Sequence, residues 1–417
     1  MDERDKIFND IDMELLNQYI QRNNDEDDII LIKKNKTIVL KSNKSKNIFM
    51  IILDWFIDIL SSSNDVKFCG IQNIGNNCYL NSGLQILARC YPFVIELLNI
   101  KFKKNNRFIQ VNPPIKYNNE LTSFSNDNKY NNNEEIKSKY IDLILESMIT
   151  LLFKENKYYQ PNEFIDYFCR LNKEFKKGYQ NCSQNFIRTL LDNLNNIFEK
   201  NTFFNEYKPT ESNEKNAYDN FLKSNRIFPE SKINSIFSGI IKMKTYGVCR
   251  KCQKRINEFS FNYFVDLVIY LNDFNSKSKF SDILKKNIGE SCISSMECPN
   301  CKEEINTKSK PSIIKLPEIF IFTLERFAPR NTIPIEPDDE IILSDYIDDS
   351  SYIEDVKYEL FAINIRIGET LYSGHQFCQI KENNKWYEIN DNEKKIANRK
   401  YERYSHGLFY KKISNKI

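Results

Sequence analysis

Two Cys-x-x-Cys pairs limit what this chain can fold into more than any other feature of its sequence. The first pair is Cys249 and Cys252 in "VCRKCQ", and the second is Cys298 and Cys301 in "ECPNCKE". A two-residue spacer lets both sulfurs of a pair face one point, and four thiolates suit one tetrahedral zinc ion. The pairs therefore predict a structural zinc site that ties together two segments separated by residues 253–297.

Two other interpretations of the four cysteines stay open at this stage. A redox dithiol needs only one such pair in a thioredoxin-like setting, and the spacing also arises by chance without a metal. Lys251 and Lys302, which belong to the two motifs, would offset part of the thiolate charge. Cys292 lies near the second pair but has no partner at this spacing, so we expect it to be a core thiol.

Composition makes several classes of protein improbable. The 417 residues carry a net charge of only +3, from 60 basic and 57 acidic side chains, which favours neither nucleic acid nor a membrane surface as partner. Residues 1–14 are charged and lack a secretory signal, and the longest apolar run, Ile48–Leu60, is too short for membrane insertion. The 11 cysteines then indicate free thiols or metal ligands rather than disulfides. We expect an intracellular monomer, in the cytoplasm or the nucleus.

Helical patterns come first along the chain, and strand patterns follow after about residue 233. This order predicts an α+β fold with a helical lobe and a sheet lobe. Residues 1–65 carry no motif and form an extension of unknown role, in which we expect a strand at Thr37–Ser42 and a helix at Ile48–Leu60. Residues 103–139 are rich in Asn and Lys, which predicts a low-complexity insertion.

Cys78, in "NIGNNCYLNS", lies where a helix is predicted to begin. A thiol attacks as its thiolate, and a helix N-terminus or a neighbouring imidazolium lowers its pKa. The chain has two histidines, His375 in "YSGHQF" and His406. The strand "WYEIND" follows His375, so Asn390 or Asp391 can orient its imidazole. On these residues alone, a structural role for the cysteine and the histidine stays open.

Several blocks, in order from about Cys69 to Lys412, resemble the ubiquitin-specific protease family of deubiquitinases. The segment "GIQNIGNNCYLNSGLQIL" resembles the family's cysteine box, and "GYQNCSQNFIRTLLDNL" resembles its next conserved helix. "YELFAINIRIGETLYSGHQF" and "WYEIND" resemble its histidine box, while "LPEIFIFTLERF" and "GLFY" look like two of its strands. The two Cys-x-x-Cys pairs fall where the family carries zinc.

This resemblance implies a papain-like fold with thumb, palm and fingers, the fingers lobe being stapled by zinc. The catalytic domain would span residues 66–413, with the fingers region at 240–305 and a tail at 414–417. The implied activity is thiol-dependent hydrolysis of the isopeptide or peptide bond after the C-terminal glycine of ubiquitin, through an acyl-enzyme thioester. Ubiquitin and ubiquitinated proteins would be the partners.

The resemblance also implies a role for each matching residue. Cys78 is the expected nucleophile, His375 the general base and Asn390 the third member of the triad. Asp391 matches the residue after the triad position, which is often acidic in the family. Asn73 matches the side chain that completes the oxyanion hole with the backbone N–H of Cys78.

Other positions depart from the family pattern. They are Asn77 before the nucleophile, Cys182, Ser183 and Asn185 in the second helix, Arg366 and Gln376 around the histidine, and His406 in the closing block. The lost acidity of the second helix leaves open a protease for a ubiquitin-like modifier as an alternative. A catalytically silent ubiquitin-binding scaffold with the same fold is a second alternative, although the intact Cys78, His375 and Asn390 argue against it. His406 is a weaker candidate for the base because its block lacks the Gly-His turn, so we expect it to be a surface or packing residue.

Overall fold

The computed structural model describes residues 28–33, 36–41, 68–105, 134–154, 158–198, 210–224, 232–289, 291–326, 331–348, 356–368, 373–397 and 402–413. These residues fall into two compact units. The first unit holds the described residues up to Tyr179 together with Glu382–Lys385 and Ile389–Lys395, and the second holds the others. An α+β fold is confirmed: among the described residues each unit has four α-helices, and the second unit also carries the two larger sheets.

Helices make up most of the first unit. They are α1 (Cys78–Ala88), α2 (Tyr91–Asn105), α3 (Glu134–Phe153) and α4 (Asn162–Leu171), preceded by an antiparallel hairpin of β1 (Asp28–Lys33) and β2 (Lys36–Lys41). Every residue of α1 is buried, and α3 packs against α1, α2 and α4. Because α1 is a central helix, its few polar side chains need partners within the protein. Gln85, for example, donates to the carbonyl oxygen of Cys69 at 2.7 Å.

The first unit also tests several sequence expectations. The helix predicted at Cys78 begins at that residue, and the strand predicted at Thr37–Ser42 corresponds to β2. Both ends of the predicted insertion are helical, since α2 continues to Asn105 and α3 begins at Glu134. The predicted helix at Ile48–Leu60, the rest of the insertion and the tail at 414–417 lie outside the described residues.

The second unit contains a four-stranded antiparallel sheet in the order β4-β3-β8-β7. Its strands are β3 (Gly239–Val248), β4 (Arg255–Phe264), β7 (Cys292–Glu297) and β8 (Glu304–Lys315). Each hairpin of this sheet turns through one Cys-x-x-Cys pair, between β3 and β4 and between β7 and β8. The sheet therefore carries the four cysteines on two turns, and strands β3 and β8, which lie side by side, connect those turns.

A larger sheet carries the core of the second unit. Within this unit its strands follow the order β13-β12-β16-β9-β5, and β11 also pairs with β12. The strands are β5 (Asp266–Tyr270), β9 (Ile319–Glu325), β11 (Glu340–Ile342), β12 (Lys357–Ile367), β13 (His375–Glu382) and β16 (Ser405–Lys412). Strands β6 (Ser278–Lys279) and β10 (Ile335–Glu336) pair separately. Residues of β14 (Lys385–Asn390) and β15 (Glu393–Ile396) are divided between the two units. Stacked Phe320 and Phe322, with ring centroids 4.3 Å apart, lie at the centre of the apolar core.

Helices complete the second unit: α5 (Ser183–Phe198), α6 (Glu214–Ser224), α7 (Lys232–Phe237) and α8 (Phe280–Leu284), with a π-helical turn at Lys285–Gly289 and a 3-10 turn at Ser344–Tyr346. Helix α5 buries Phe186, Leu190 and Leu194, four residues apart, which is the spacing of one helical face. In the described residues, no single helix is long and apolar enough to cross a membrane. Among the described residues, α1 and Tyr91–Ile100 together have the length and composition of a membrane span, but they meet at a sharp bend, and α1 is a buried core helix.

Candidate active site

The loop that leads into Cys78 has an irregular backbone. Gly75 and Asn76 both have positive φ angles, 120° and 54°, which glycine and asparagine adopt at the lowest cost. The side chain of Asn76 donates to the carbonyl oxygen of Gly178 at 2.9 Å, which ties the turn to the body of the first unit. The chain then enters α1 with Cys78 as its first residue.

Cys78 lies at the N-terminus of an 11-residue helix with only 1% of its surface exposed. The first N–H groups of a helix have no acceptor within the helix, and the helix dipole adds positive potential at this end. Both effects stabilise negative charge on the sulfur or on an oxygen beside the Cys78 N–H. The position therefore suits a nucleophile whose reaction develops an anion.

Asn73 and Asp391, which are 318 residues apart in sequence, meet in the first unit. The Asn73 amide donates from Nδ2 to Asp391 Oδ2 at 3.0 Å, and its Oδ1 accepts from the N–H of Gly75 at 3.2 Å. Asp391 also receives a hydrogen bond from Nδ2 of Asn81 at 2.8 Å. Asn73 is solvent-exposed, yet its amide is oriented at both ends. Asn390 ends β14 directly before Asp391 and also belongs to the first unit.

His375 belongs to the second unit, where it is the first residue of β13 and pairs with Ile367 of β12. Its ring lies 6.1 Å from that of Phe377. A Cβ at the preceding Gly374 would lie 2.6 Å from the Ile367 carbonyl oxygen, so only glycine permits this close approach. The proximity of His375 to Cys78 and Asn390 stays a prediction.

A buried polar network joins the start of β13 to the start of α5. Gln376, next to His375, accepts at Oε1 from the backbone N–H and the hydroxyl of Ser183, at 3.0 and 2.9 Å. Its Nε2 donates to the carbonyl oxygen of Asn181 at 2.6 Å. Asn364 of β12 donates to the Ser183 hydroxyl at 3.2 Å and accepts from Gln184 at 3.1 Å. Two positions that depart from the family pattern, Gln376 and Ser183, thus contact each other directly.

His406 belongs to the same network and is buried. Its Nδ1 donates to Oε1 of Gln184 at 2.7 Å, and the Cys182 sulfur lies 3.8 Å from that nitrogen. Burial, with smaller contributions from Arg366 and Arg326, lowers the pKa of His406 to about 3, so the ring is neutral at physiological pH. A neutral, enclosed imidazole that bonds to Gln184 fits the packing role expected for it.

Acid should destabilise the protein through His406. Because its pKa is about 6.5 when unfolded and about 3 when folded, unfolding takes up a proton between these values. The contribution of neutral His406 to the free energy of unfolding is intact above pH 6.5. It is lost as the pH falls toward 3, by at most about 1.4 kcal/mol per pH unit. Urea unfolding measures the free energy of unfolding at pH 7 and at pH 5. The decrease between these pH values should be smaller by about 2 kcal/mol in His406→Gln than in the wild type. Equal losses in both proteins would contradict this assignment, and the difference between pH 7 and 8 is the internal control.

The four predicted metal ligands converge in the second unit. The sulfurs of Cys249, Cys252, Cys298 and Cys301 all lie within 4.8 Å of one another. The Cys249–Cys301 and Cys252–Cys298 sulfur pairs are each 3.6 Å apart. Zinc–sulfur bonds of about 2.3 Å in a tetrahedron place sulfurs roughly 3.8 Å apart, so the cluster has the dimensions of a tetrathiolate zinc site.

The two turns that carry these cysteines have the same local geometry. In each, the N–H of the residue four positions after the first cysteine donates to that cysteine's carbonyl, from Gln253 to Cys249 and from Lys302 to Cys298, both at 2.9 Å. Both donor residues have φ near 60°, at 58° and 60°. Four protein ligands leave no open position, which is the arrangement of a structural rather than a catalytic metal.

Two residues near the metal cluster, Cys292 and Lys251, were singled out from the sequence. Cys292 is exposed rather than buried, and it lies on β7, at the edge of the four-stranded sheet; its thiol donates to the carbonyl oxygen of Ser309 at 3.4 Å. The prediction of a core thiol there was wrong. Lys251 forms an exposed ion pair with Glu303 at 2.8 Å, linking the two turns, so its charge is shared between this carboxylate and the thiolates.

Sequence reasoning missed Asn81, three residues after Cys78. It is 2% exposed and bonded to Asp391, which places it beside the predicted oxyanion residue. The available signal was a pair of amides, Asn81 and Gln85, four residues apart on one face of a mostly apolar helix, since a buried amide requires partners. Which partner Asn81 would find was not visible, because Asp391 lies 310 residues away.

Comparisons with known proteins show the family of this chain. The model of the family described as ubiquitin carboxyl-terminal hydrolase matches residues 69–410. Ubiquitin carboxyl-terminal hydrolase 4 of Arabidopsis thaliana is 25% identical over 346 residues, which is 78% of this chain and 84% of that protein. A probable ubiquitin carboxyl-terminal hydrolase 4 of Schizosaccharomyces pombe is 23% identical over 80% of this chain and 56% of its own length, so this chain spans little more than half of that relative.

The fold is similar to that of solved structures as well. The SAGA Ubp8/Sgf11/Sus1/Sgf73 DUB module bound to ubiquitin aldehyde aligns with a TM-score of 0.57 at 16% identity. The alignment covers 93% of this chain and 81% of that one. At this identity the likeness shows a shared fold and no more.

Proposed function

The chain belongs to the ubiquitin carboxyl-terminal hydrolase family of thiol-dependent deubiquitinases, and we propose that it hydrolyses the bond after the C-terminal glycine of ubiquitin. The observation that carries this proposal is the arrangement around Cys78. A cysteine opens a buried helix, and the exposed amide of Asn73 in the preceding loop is held by Asp391. A nucleophile and an oriented hydrogen-bond donor in one loop are the requirements of acyl transfer.

In the proposed reaction, the Cys78 thiolate attacks the carbonyl carbon of the terminal glycine. The oxygen becomes an anion, and the backbone N–H of Cys78 and the Asn73 amide donate hydrogen bonds to it. Collapse of this intermediate breaks the bond to the leaving amine and forms a thioester. A water molecule then attacks the thioester, which releases the ubiquitin carboxylate and restores the thiol.

His375 and Asn390 supply the proton transfers in this proposal. The imidazole of His375 takes the proton of Cys78, gives it to the leaving amine and then removes a proton from the attacking water. Asn390 orients the imidazole through a hydrogen bond, as the third member of such triads does. Support comes from the Gly374 turn, which fixes the backbone of His375, and from the Gln376 network beside it.

Zinc is the metal that we propose for the four-cysteine cluster. Thiolate ligands in a tetrahedron favour zinc among the common divalent metals, and the sulfur separations fit it. When bound, the ion would hold the β3–β4 and β7–β8 turns together. It would take no part in the reaction, because the four cysteines fill its coordination sphere.

A ubiquitin-like modifier is the second candidate substrate. The observation that favours it is the lack of negative charge at the N-terminus of α5. The Cys182 thiol donates to Gln184 at 2.9 Å, and burial raises the pKa of this thiol, so it presents no negative charge to solvent. Asn185 is exposed and neutral. Two positions that are acidic in the resembled family therefore offer no attraction to a basic modifier tail.

A panel of electrophilic probes tests the proposed function. Ubiquitin and several ubiquitin-like modifiers, each with a C-terminal alkyne, are incubated with the protein, and covalent adducts are measured by intact mass. We expect an adduct with ubiquitin and little reaction with the others. An adduct with another modifier alone would transfer the proposal to that modifier. If no probe reacts while the protein is folded by circular dichroism, the chain is a binding scaffold and the enzymatic proposal is wrong.

A further inference from the structure

Two buried asparagine side chains, one on each side of Cys78, belong to a chain of hydrogen bonds that ends at the exposed amide of the predicted oxyanion residue. We propose that Asn77 and Asn81 are positioning residues, which hold Asn73 in the orientation required to stabilise the oxyanion through Asp391 and through the loop backbone. This inference rests on the proposed function, since it assigns a task within that reaction. It concerns only residues of the first unit.

Asn81 is the central member of this chain. It lies one helical turn after Cys78 and is 2% exposed. Its Nδ2 donates to Asp391 Oδ1 at 2.8 Å and to the Ile71 carbonyl at 3.4 Å, while its Oδ1 accepts from Asn77 Nδ2 at 3.1 Å. Both ends of the amide are therefore used, so its rotation is blocked and the Asp391 carboxylate is fixed from the helix side.

Asn77 connects Asn81 to the loop. Its Oδ1 accepts from the backbone N–H of Ile74 at 2.9 Å, and its Nδ2 also donates to the Gln72 carbonyl at 3.4 Å. These two hydrogen bonds fix the backbone at the residues directly before and after Asn73. Threonine, which the resembled family has at this position, carries one hydroxyl and cannot make all three contacts, whereas an amide has two donors and an acceptor.

Asp391 transmits this order to Asn73. Each carboxylate oxygen has a different asparagine donor, Asn81 on Oδ1 and Asn73 on Oδ2. The Asp391 backbone is also held, since its carbonyl accepts from the N–H of Ile71 at 2.9 Å. Asp391 takes one N–H of the Asn73 amide, and among the described residues no other acceptor engages that nitrogen, so its second N–H is available to a substrate oxygen.

Preorganisation is the physical benefit of this arrangement. An exposed amide would otherwise rotate and bond to water, and the free energy of reorienting it would add to the activation barrier. Here the orientation is set before substrate arrives, by the half-buried Asp391, which is itself bonded to the buried Asn81. Loss of Asn81 should therefore act on the step that forms the oxyanion and leave the Cys78 thiol competent.

The test compares two reactions of the same thiol. Hydrolysis of a ubiquitin C-terminal fluorogenic amide passes through an oxyanion, whereas addition of the thiol to ubiquitin alkyne does not. We expect Asn73→Ala to lower kcat by about 10²-fold or more, and Asn81→Ala and Asn77→Ala by about 10- to 100-fold. Labelling by the alkyne should stay within about threefold of wild type in all three, because the thiol and the ubiquitin surface are unchanged.

A double substitution shows whether Asn81 acts through Asn73. In the Asn73→Ala background, Asn81→Ala should have little further effect on kcat, because the group it positions is already gone. The matched control is Asn172→Ala, an amide of the same unit that donates to the Phe168 carbonyl at 2.8 Å and has no place in this chain. It should leave kcat within about twofold of wild type.

Three outcomes would overturn the inference. These are additive effects of the Asn73 and Asn81 substitutions, equal losses of hydrolysis and alkyne labelling in Asn81→Ala, or unchanged hydrolysis in that variant. If Asn81→Ala does not fold, Asn77→Ala gives the same comparison from the loop side. Failure of the proposed function has a different signature, namely a folded wild-type protein that neither hydrolyses the amide nor reacts with the alkyne.

Discussion

Replacement of Cys78 by alanine should abolish hydrolysis and adduct formation while ubiquitin binding persists. Removing the nucleophile of a covalent protease lowers kcat by about 10⁶-fold, because no other group of the site can form the acyl intermediate. The side chain is 1% exposed, so its truncation changes almost none of the surface that a bound protein contacts. Steady-state hydrolysis, intact mass after probe treatment and calorimetric titration with ubiquitin measure the three properties.

Two other cysteines serve as controls for this substitution. Cys90→Ala removes a wholly buried thiol of the same unit, whose pKa is raised by burial. Cys292→Ala removes an exposed thiol of the second unit, which general alkylating reagents can reach. Both variants should keep the adduct. An adduct that survives in Cys78→Ala, or disappears in Cys292→Ala, would assign the nucleophile to another residue.

Loss of the metal cluster should produce the largest loss of stability. Structural zinc contributes about 10–16 kcal/mol of apparent binding free energy in isolated zinc-finger peptides. The four-stranded sheet here has additional support from β-ladders, so part of its stability is independent of the metal. We expect Cys298→Ser to lose the metal, to unfold at a clearly lower temperature and to expose the two cysteine-bearing turns to protease.

Metal content decides this prediction directly. Elemental mass spectrometry should find one zinc per wild-type chain and none in Cys298→Ser, and chelator treatment of the wild type should reproduce the variant's thermal unfolding. Cys292→Ser is the matched control, because Cys292 lies on the same sheet but outside the cluster. It should keep both zinc and stability. Wild-type protein that contains no metal and does not respond to chelator would refute the zinc proposal.

Local patterns in the sequence were sufficient for most of the secondary structure and for the metal cluster. The helix start at Cys78 follows from the Gly-Asn turn, and the predicted strands follow from their Ile- and Phe-rich composition. The cysteine pairs sit on tight hairpin turns, as their two-residue spacing requires. These features depend on neighbours within a few residues, so the amino-acid order alone specifies them.

Contacts between distant segments depended on tertiary structure. The asparagine in α1 that holds Asp391, the pairing of Gln376 with Ser183 and the burial of His406 all join residues that lie far apart in the chain. Cys292 illustrates the same limit, since the lack of a partner at Cys-x-x-Cys spacing led to the prediction of a core thiol, while the side chain is exposed on the edge strand of the sheet.

The sequence by itself determined which reactive and metal-binding groups this protein carries, and the helix and turns on which Cys78 and the four cysteines lie. Only the tertiary structure decided which polar side chains share a hydrogen bond, including the chain from Asn77 to Asn73. The reason is that a buried donor must find an acceptor or lose about 1–3 kcal/mol. Which acceptor it finds is set by the packing of strands and helices hundreds of residues apart, and spacing along the chain does not encode that packing.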